Sequence, residues 1–406
     1  MRVSHVCRRW REVATHHRRM WSTISTAQYD LFTLALKRSA SLPLTISFMH
    51  DRPTYVNPSR TDGFMSIPRR VFDLLALKAL PRVRSMALSL GPEGNHDMLW
   101  KHPAPALESL TISAVRRCVY SPTLDVYTVV SEALPDDMFE AQTPRLDTLR
   151  LNVVDIHPTL PFFTDRLRTL ELKGVRCYTL TGQNPIEHDP EALLEALRRA
   201  PNLEELTIIS PLSDEVESER VVEEGTHVPS VPLGRLRKLV LEDYAPNLPG
   251  FIRRLQLPQT CGIALRTVRT QNRHLRAVLD IVLATFPPRP DPDREATFFY
   301  RKVLISGQAA DRGSWSPRRP CRIVRIVASE PQDPSLPDHL EITVDLERGT
   351  DISPILVGLV CNFPPCIHHA RVLVVDHPFF ASGTSWKPTL EPFKDVMELA
   401  VSPKIA

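Results

Sequence analysis

The chain has 406 residues, of which 42% are hydrophobic and 24% charged. This is ordinary globular composition, enough for two or three domains or for one elongated array. A net charge of +3 gives no reason to expect a polyanionic partner for the whole chain, and 38 prolines against 14 glycines argue against long helical bundles and phosphate-cradling loops.

Val3, Val6, Cys7, Trp10, Val13 and Ala14 recur at three- and four-residue steps, which predicts a helix with one apolar face. Arg8, Arg9, Arg11 and Glu12 fall on the other face. Isolated helices of about a dozen residues are marginal in water, so this stripe needs something to pack against. Residues 1–20 hold Arg2, Arg8, Arg9, Arg11, Arg18 and Arg19 against Glu12 alone. A nucleic-acid groove binder would carry fewer large apolar groups, and the basic face reads as a solvated one.

The stretch from Val3 to Ala14, closed by Arg19-Met20-Trp21-Ser22-Thr23-Ile24, closely resembles the C-terminal half of an F-box, in the version common among mushroom-forming fungi. Leu36-Lys37-Arg38-Ser39-Ala40-Ser41-Leu42-Pro43-Leu44-Thr45-Ile46 is similar to what those families carry next, a helix ending in Arg-Ser and a first strand after the proline. The resemblance implies a Skp-type adaptor as partner and, through it, a cullin ubiquitin ligase. Val6, Cys7, Trp10, Val13 and Trp21 would then pack the module and lie nearest the adaptor. The leading Leu-Pro-x-Glu-type segment and first helix of an F-box do not precede Met1, so residues 1–26 are expected to hold the C-terminal half of the module.

A polar, proline-broken loop is expected from His50 to Ser66. A helix is expected over 67–80, burying Val71, Leu74, Leu75 and Leu77 or Lys78 and ended by Pro81. Next comes a repeated phrase: leucine, two residues, leucine, one residue, aliphatic. It reads Leu107-Leu110-Ile112, Leu146-Leu149-Leu151, Leu167-Leu170-Leu172, Leu203-Leu206-Ile208 and Leu236-Leu239-Leu241, with Val83-Met86-Leu88 as a looser copy. Leucine-rich repeats carry this pattern at roughly 20–29 residues. The longer steps here imply inserted loops or helices. One insert is visible in 189–200, with proline near the helix start, an acid in the first turn and arginines at the end. Each strand-plus-return unit cannot bury its leucines alone, so neighbours are expected to stack with their strands in a parallel sheet. Glu108, Asp147, Arg168, Glu204 and Arg237 recur at the polar side of the phrases, as a column along the concave face where a partner would dock. The acidic stretch 213–225 reads as an exposed loop.

Past Tyr244 the pattern loosens. Strands are expected at 255–258, 263–265, 298–305, 322–328, 340–346, 370–375 and 393–401, and a helix over 275–286. Cys361, Cys366, His368 and His369 supply four donors of the right type for zinc, but four ligands within nine residues are hard to close into a tetrahedron, so no metal is expected. No nucleophile elbow, phosphate-binding loop or metalloprotease helix occurs, and no cofactor is expected. Seven scattered cysteines form no disulfide framework and point to a reducing compartment.

The expected fold is an α/β leucine-rich-repeat-like solenoid, its parallel strands joined by returning helices and loops, preceded by a short F-box-like helical segment. The expected limits are 1–26 for that segment, 27–286 for the array, 287–293 for a linker-like loop and 294–406 for a degenerate continuation, with a separate small domain as the alternative for the last. The expected function is substrate recognition for a Skp–cullin–F-box ubiquitin ligase, without chemistry of its own. The alternative is a non-catalytic interaction scaffold in which the incomplete module only caps the first repeat. The expected partners are a Skp-type adaptor and a protein substrate, with neither membrane nor nucleic acid, inside the cell.

Overall fold

Each leucine phrase is entered through the same tight turn. The amide of Leu107 donates to the Ala104 carbonyl at 3.1 Å, Leu146 to Thr143 at 3.1 Å, Leu167 to Thr164 at 3.1 Å, Leu203 to Ala200 at 3.3 Å and Leu236 to Leu233 at 3.0 Å. Pro105, Pro144 and Pro201 follow the accepting residue, a place where a fixed φ is already right and no amide is required. The turn sends the first leucine inward. The residues after it run out as a strand, so leucines and polar residues alternate between two faces.

The computed structural model describes residues 7–49, 67–90, 97–114, 117–121, 126–130, 132–177, 190–209, 230–244, 247–258, 260–270, 300–310, 321–331, 339–346, 372–376 and 398–401. The chain divides into two compact units, Met1–Leu203 and Glu204–Ala406.

The first unit opens with α1 (Arg8–His16), a 3₁₀ turn (Arg18–Trp21), β1 (Thr23–Ile24), α2 (Tyr29–Ser39) and β2 (Leu44–Phe48). It continues through α3 (Arg69–Leu74), β3 (Val83–Leu90), α4 (Asp97–Trp100), β4 (Ser109–Ala114), β5 (Arg117–Ser121), β6 (Val126–Val130), β7 (Glu132–Ala133), β8 (Thr148–Asn152), β9 (Val154–Ile156), β10 (Thr169–Lys173), β11 (Arg176–Cys177) and α5 (Pro190–Arg198). Its main sheet is parallel throughout, in the order β1-β2-β3-β4-β8-β10. Strands β7, β9 and β11 form a second, shorter parallel sheet, and β5 and β6 pair as an antiparallel hairpin.

Register explains the core. Ile24, Ile46, Met86, Leu110, Leu149 and Leu170 stand side by side across the six strands, each at most 2% exposed. A second row, Phe48, Leu88, Ile112, Leu151 and Leu172, is buried behind it. Helix α2 closes the early end, with Phe32 fully buried and its ring 5.8 Å from that of Phe48. After β8 the chain turns into β9 at Val153, whose φ is 59°. Gly174 holds φ 58° at the matching place after β10. The corner requires a left-handed residue, which glycine adopts freely and a β-branched side chain does not.

The second unit contains β12 (Glu205–Ile209), β13 (Val231–Pro232), β14 (Lys238–Tyr244), α6 (Asn247–Arg253), β15 (Leu255–Gln256) and β16 (Gly262–Thr270). Beyond these come β17 (Tyr300–Ala310), β18 (Cys321–Pro331), β19 (His339–Leu346), β20 (Val372–Asp376) and β21 (Glu398–Val401). Its main sheet runs β12-β14-β16-β19-β18-β17-β20-β21, and β13 pairs with β15. Strands β12, β14, β16 and β19 are parallel, whereas β18 runs against both β17 and β19. That reversal lies inside the segment read from sequence as a continued array.

The helix expected over 67–80 is broken into three pieces. Helix α3 ends at Leu74, the backbone widens to a π turn over Leu75–Ala79, and it tightens to a 3₁₀ turn over Leu80–Arg82. The wider turn rotates the residues after Leu74, so Ala76 and Ala79 join Val71, Phe72 and Leu75 inside. Leu77 is left 63% exposed and Lys78 exposed, contrary to the even stripe expected there. The expected helix over 275–286, the linker at 287–293, the acidic stretch 213–225 and the Cys361–His369 cluster lie outside the described residues.

The entry to β16 repeats the same turn, with the Cys261 amide donating to Pro258 at 3.1 Å, and the Cys261 side chain is buried. Burial pushes its thiol up to about 12 from an ordinary 9.0. The folded chain therefore keeps this thiol neutral while the unfolded chain ionises it, so the stability it contributes is whole below pH 9 and is lost as pH rises from 9 toward 12. Native Cys261 is expected to resist iodoacetamide at pH 8 and to react on unfolding, as read by peptide mapping. The urea midpoint should also fall more steeply above pH 9 than in a Cys261→Ala chain.

Candidate interaction site

Two surfaces correspond to the residues singled out from the sequence. The first is helix α1. Its basic side is exposed as expected: Arg8 and Arg9 face solvent, and Arg8 Nε lies 3.2 Å from Glu12 Oε1, an exposed pair of little energetic weight. The helix closes where the His17 amide donates to the Val13 carbonyl at 2.9 Å and His16 Nδ1 sits 2.8 Å from the Glu12 carbonyl.

The apolar residues described on this segment are also in solvent. Cys7 is exposed, Val13 is 46% exposed, and Met20 in the following turn is 47% exposed. Trp21 goes the other way. It is 4% exposed, with the Arg38 guanidinium 4.4 Å from its ring centroid, a cation–π contact that ties the turn to α2. Of the five residues expected to pack the module, Trp21 is inward and Cys7 and Val13 are outward. Val6 and the Trp10 side chain lie outside the described residues. The segment is thus anchored at one end by a buried tryptophan while Val13 on the helix before it faces water.

The second surface is the polar side of the strands. In the first unit Glu108, Asp147 and Arg168 occupy one repeated place, the rung just before each strand. The Glu108 carbonyl accepts from the Asp147 and Thr148 amides at 3.0 and 3.1 Å, and the Asp147 carbonyl accepts from Arg168 and Thr169 at 2.8 and 3.0 Å. Arg84 starts the series: its carbonyl accepts from the Glu108 amide at 2.8 Å and its guanidinium pairs with the Glu108 carboxylate. The second unit repeats the rung, with the Glu204 carbonyl accepting from Arg237 and Lys238 at 2.8 and 3.1 Å. These side chains were chosen for their charge. What the structure adds is that their backbones are the hydrogen-bonding steps of the ladder.

Sequence reasoning missed the adjacent row. Thr23, Thr45, Ser85, Ser109, Thr148 and Thr169 stand in register across all six strands of the first unit's sheet, opposite the buried row and half-buried to exposed. The signal was present, because the residue before the second leucine of the phrase is Ser85, Ser109, Thr148 and Thr169 in four consecutive copies. In the second unit the same place holds Glu205, Lys238 and Gly262.

Further out on this face, Arg150 Nε lies 3.2 Å from Glu171 Oε2, and Lys173 holds the same carboxylate. Asn152 Nδ2 donates to Ser113 Oγ at 3.2 Å. Among the described residues no helix is long and apolar enough to cross a membrane, and no group of three or more His, Cys, Asp or Glu could hold a metal ion.

No protein-family model matches the chain, and no curated protein matches it. Among solved structures, InlP of Listeria monocytogenes is similar over 81% of this chain and 89% of its own, with a TM-score of 0.28 and 11% sequence identity. A likeness that loose settles neither fold nor function.

Proposed function

We propose that this chain is an F-box-type substrate-recognition subunit of a Skp–cullin–F-box ubiquitin ligase, built as a leucine-rich-repeat-like solenoid and performing no chemistry itself. The observation that carries the reading is the exposure of Val13 on α1 and of Cys7 just before it, next to a buried Trp21, in a unit built on a parallel ladder of repeated strands. A helix that hides its stripe in its own fold needs no adaptor. This one leaves Val13 and Cys7 exposed to a partner, with arginines around them to set the orientation. The repeated turn and rung support the other half of the reading, since stacked repeating units present outward side chains from every strand and let surface residues choose the partner.

The experiment is capture of a purified Skp-type adaptor by the intact chain and by Val13→Asp. Asp at the centre of an apolar contact is expected to weaken capture at least tenfold, roughly the effect of losing one interface anchor. Val13 is half exposed in the free chain, so the circular dichroism spectrum should not change. A folded chain that fails to capture the adaptor sinks the ligase reading and leaves the non-catalytic interaction scaffold.

A further inference from the structure

On the reading above the strand face holds a protein substrate, and its charge distribution narrows what that substrate can be. We infer that the outer face of the first unit's sheet binds an extended, uncharged polar peptide segment that ends in acidic residues over β8 and β10.

On β1 to β4 the outward strand positions, apart from Arg84 at the start of β3, hold serine, threonine and alanine: Thr23, Thr45, Ser47, Ser85, Ala87, Ser89, Ser109 and Thr111. At the rim Arg84 and Glu108 neutralise each other. A charged partner group placed there would be desolvated with no counter-charge, an unfavourable exchange. Hydroxyls donate and accept, so the row meets either the amides and carbonyls of an extended chain or its hydroxyl and carboxamide side chains. Small side chains also let a backbone approach closely.

The far end differs. On β8 and β10 two cations, Arg150 and Lys173, share the single carboxylate of Glu171, which leaves one positive charge over. Beside them Asp147 and Arg168 stand on neighbouring rungs and add no net charge. The face is therefore neutral over four strands and positive over the last two, and its occupant should be polarised the opposite way. At about 4.8 Å per strand the hydroxyl row spans roughly 24 Å, about seven residues of extended chain.

The test uses the full chain and three fluorescein-labelled eight-residue peptides of alternating Thr and Gln: one ending in two Asp, one in two Lys, one without charge. The acid-ended peptide is expected to bind at least tenfold more tightly than the lysine-ended one at low salt, with the gap shrinking in 0.5 M salt. Arg150→Glu with Lys173→Glu should reverse that order. Ser85→Lys with Ser109→Lys should weaken the acid-ended and uncharged peptides at least tenfold, and Thr45→Lys, at an exposed position, should do so if the double variant fails to fold. Equal binding of the three peptides, or no binding by any, overturns the inference. No adaptor is present in this experiment, so its failure with adaptor capture intact sinks the peptide assignment alone, and lost adaptor capture leaves it standing.

Discussion

Phe139→Ala should lower unfolding stability by about 3–5 kcal/mol, the range for deleting a large aromatic from a packed core. Phe139 is fully buried, edge-on to Trp100 at 5.4 Å between ring centroids and 83° between planes, and 6.1 Å from Phe162. The three rings join α4 to the loops before β8 and β10. The ring also holds an unfavourable backbone. Phe139, Glu140 and Ala141 have φ of 55°, 51° and 55°, a left-handed turn that costs about 1–2 kcal/mol per residue for side chains with a Cβ. That turn places the Gln142 carbonyl to accept the Ala104 amide at 3.2 Å, and Ala104 in turn begins the tight turn into β4. Urea denaturation of the variant measures the loss. A change under 1 kcal/mol would mean that the aromatic cluster does not fix this corner.

Arg82→Met should cost about 2–3 kcal/mol. The Arg82 guanidinium donates to the carbonyl of Leu36 at 3.0 Å and of Leu42 at 3.3 Å, and to that of Ala40. These carbonyls lie at the C-terminal end of α2 and in the turn after it, where backbone acceptors run short of donors, and that of Leu36 also accepts from the Ser39 hydroxyl at 3.1 Å. Burial pushes the guanidinium pKa down from its ordinary value without removing its charge, so the donor is a cation beside the negative end of a helix. Methionine keeps the stem's packing and removes the guanidinium donors, leaving Leu36 with the Ser39 hydroxyl and the Ala40 and Leu42 carbonyls without this donor, which isolates the polar contribution. Because α2 also carries Arg38 against Trp21, the loss should reach the N-terminal segment. Thermal melts of the variant give the size, and adaptor capture should weaken along with it. Unchanged stability would assign the α2 terminus to some other support.

Arg199 repeats the device, donating to the Pro158 and Leu160 carbonyls at 2.8 and 2.9 Å. A long cation placed just before a strand reaches back and fixes the loop one repeat earlier. Neither clamp was legible in the sequence, where both residues read only as charges near a helix end. Their acceptors lie about forty positions away and are backbone atoms, which leave no trace in residue type.

The strand positions were legible for a physical reason. Leu110, Leu149 and Leu170 are spaced by the pleat and introduced by a proline or polar turn, and both are local rules. The helix over 67–80 was less so, because a π turn inside an apolar stretch depends on the groups it packs against. Glu108, Asp147 and Arg168 are legible as positions on the polar side of each phrase and prove to be the ladder's entry rungs, while the hydroxyl row beside them becomes continuous only once register aligns the strands. The pattern of charge across that face, neutral and then positive, could only be read once register had placed the strands side by side.

Hydrogen–deuterium exchange along α1 tests the central claim most directly. The amides of Arg8–His16 should exchange quickly in the free chain, because a nine-residue helix with Val13 in water is held by little beyond its own turns. With a saturating Skp-type adaptor the same amides should slow by at least tenfold while β3, β4 and β8 are unchanged. Protection that spares α1, or that falls on the strand face in its place, would contradict the assignment of this helix as the docking element.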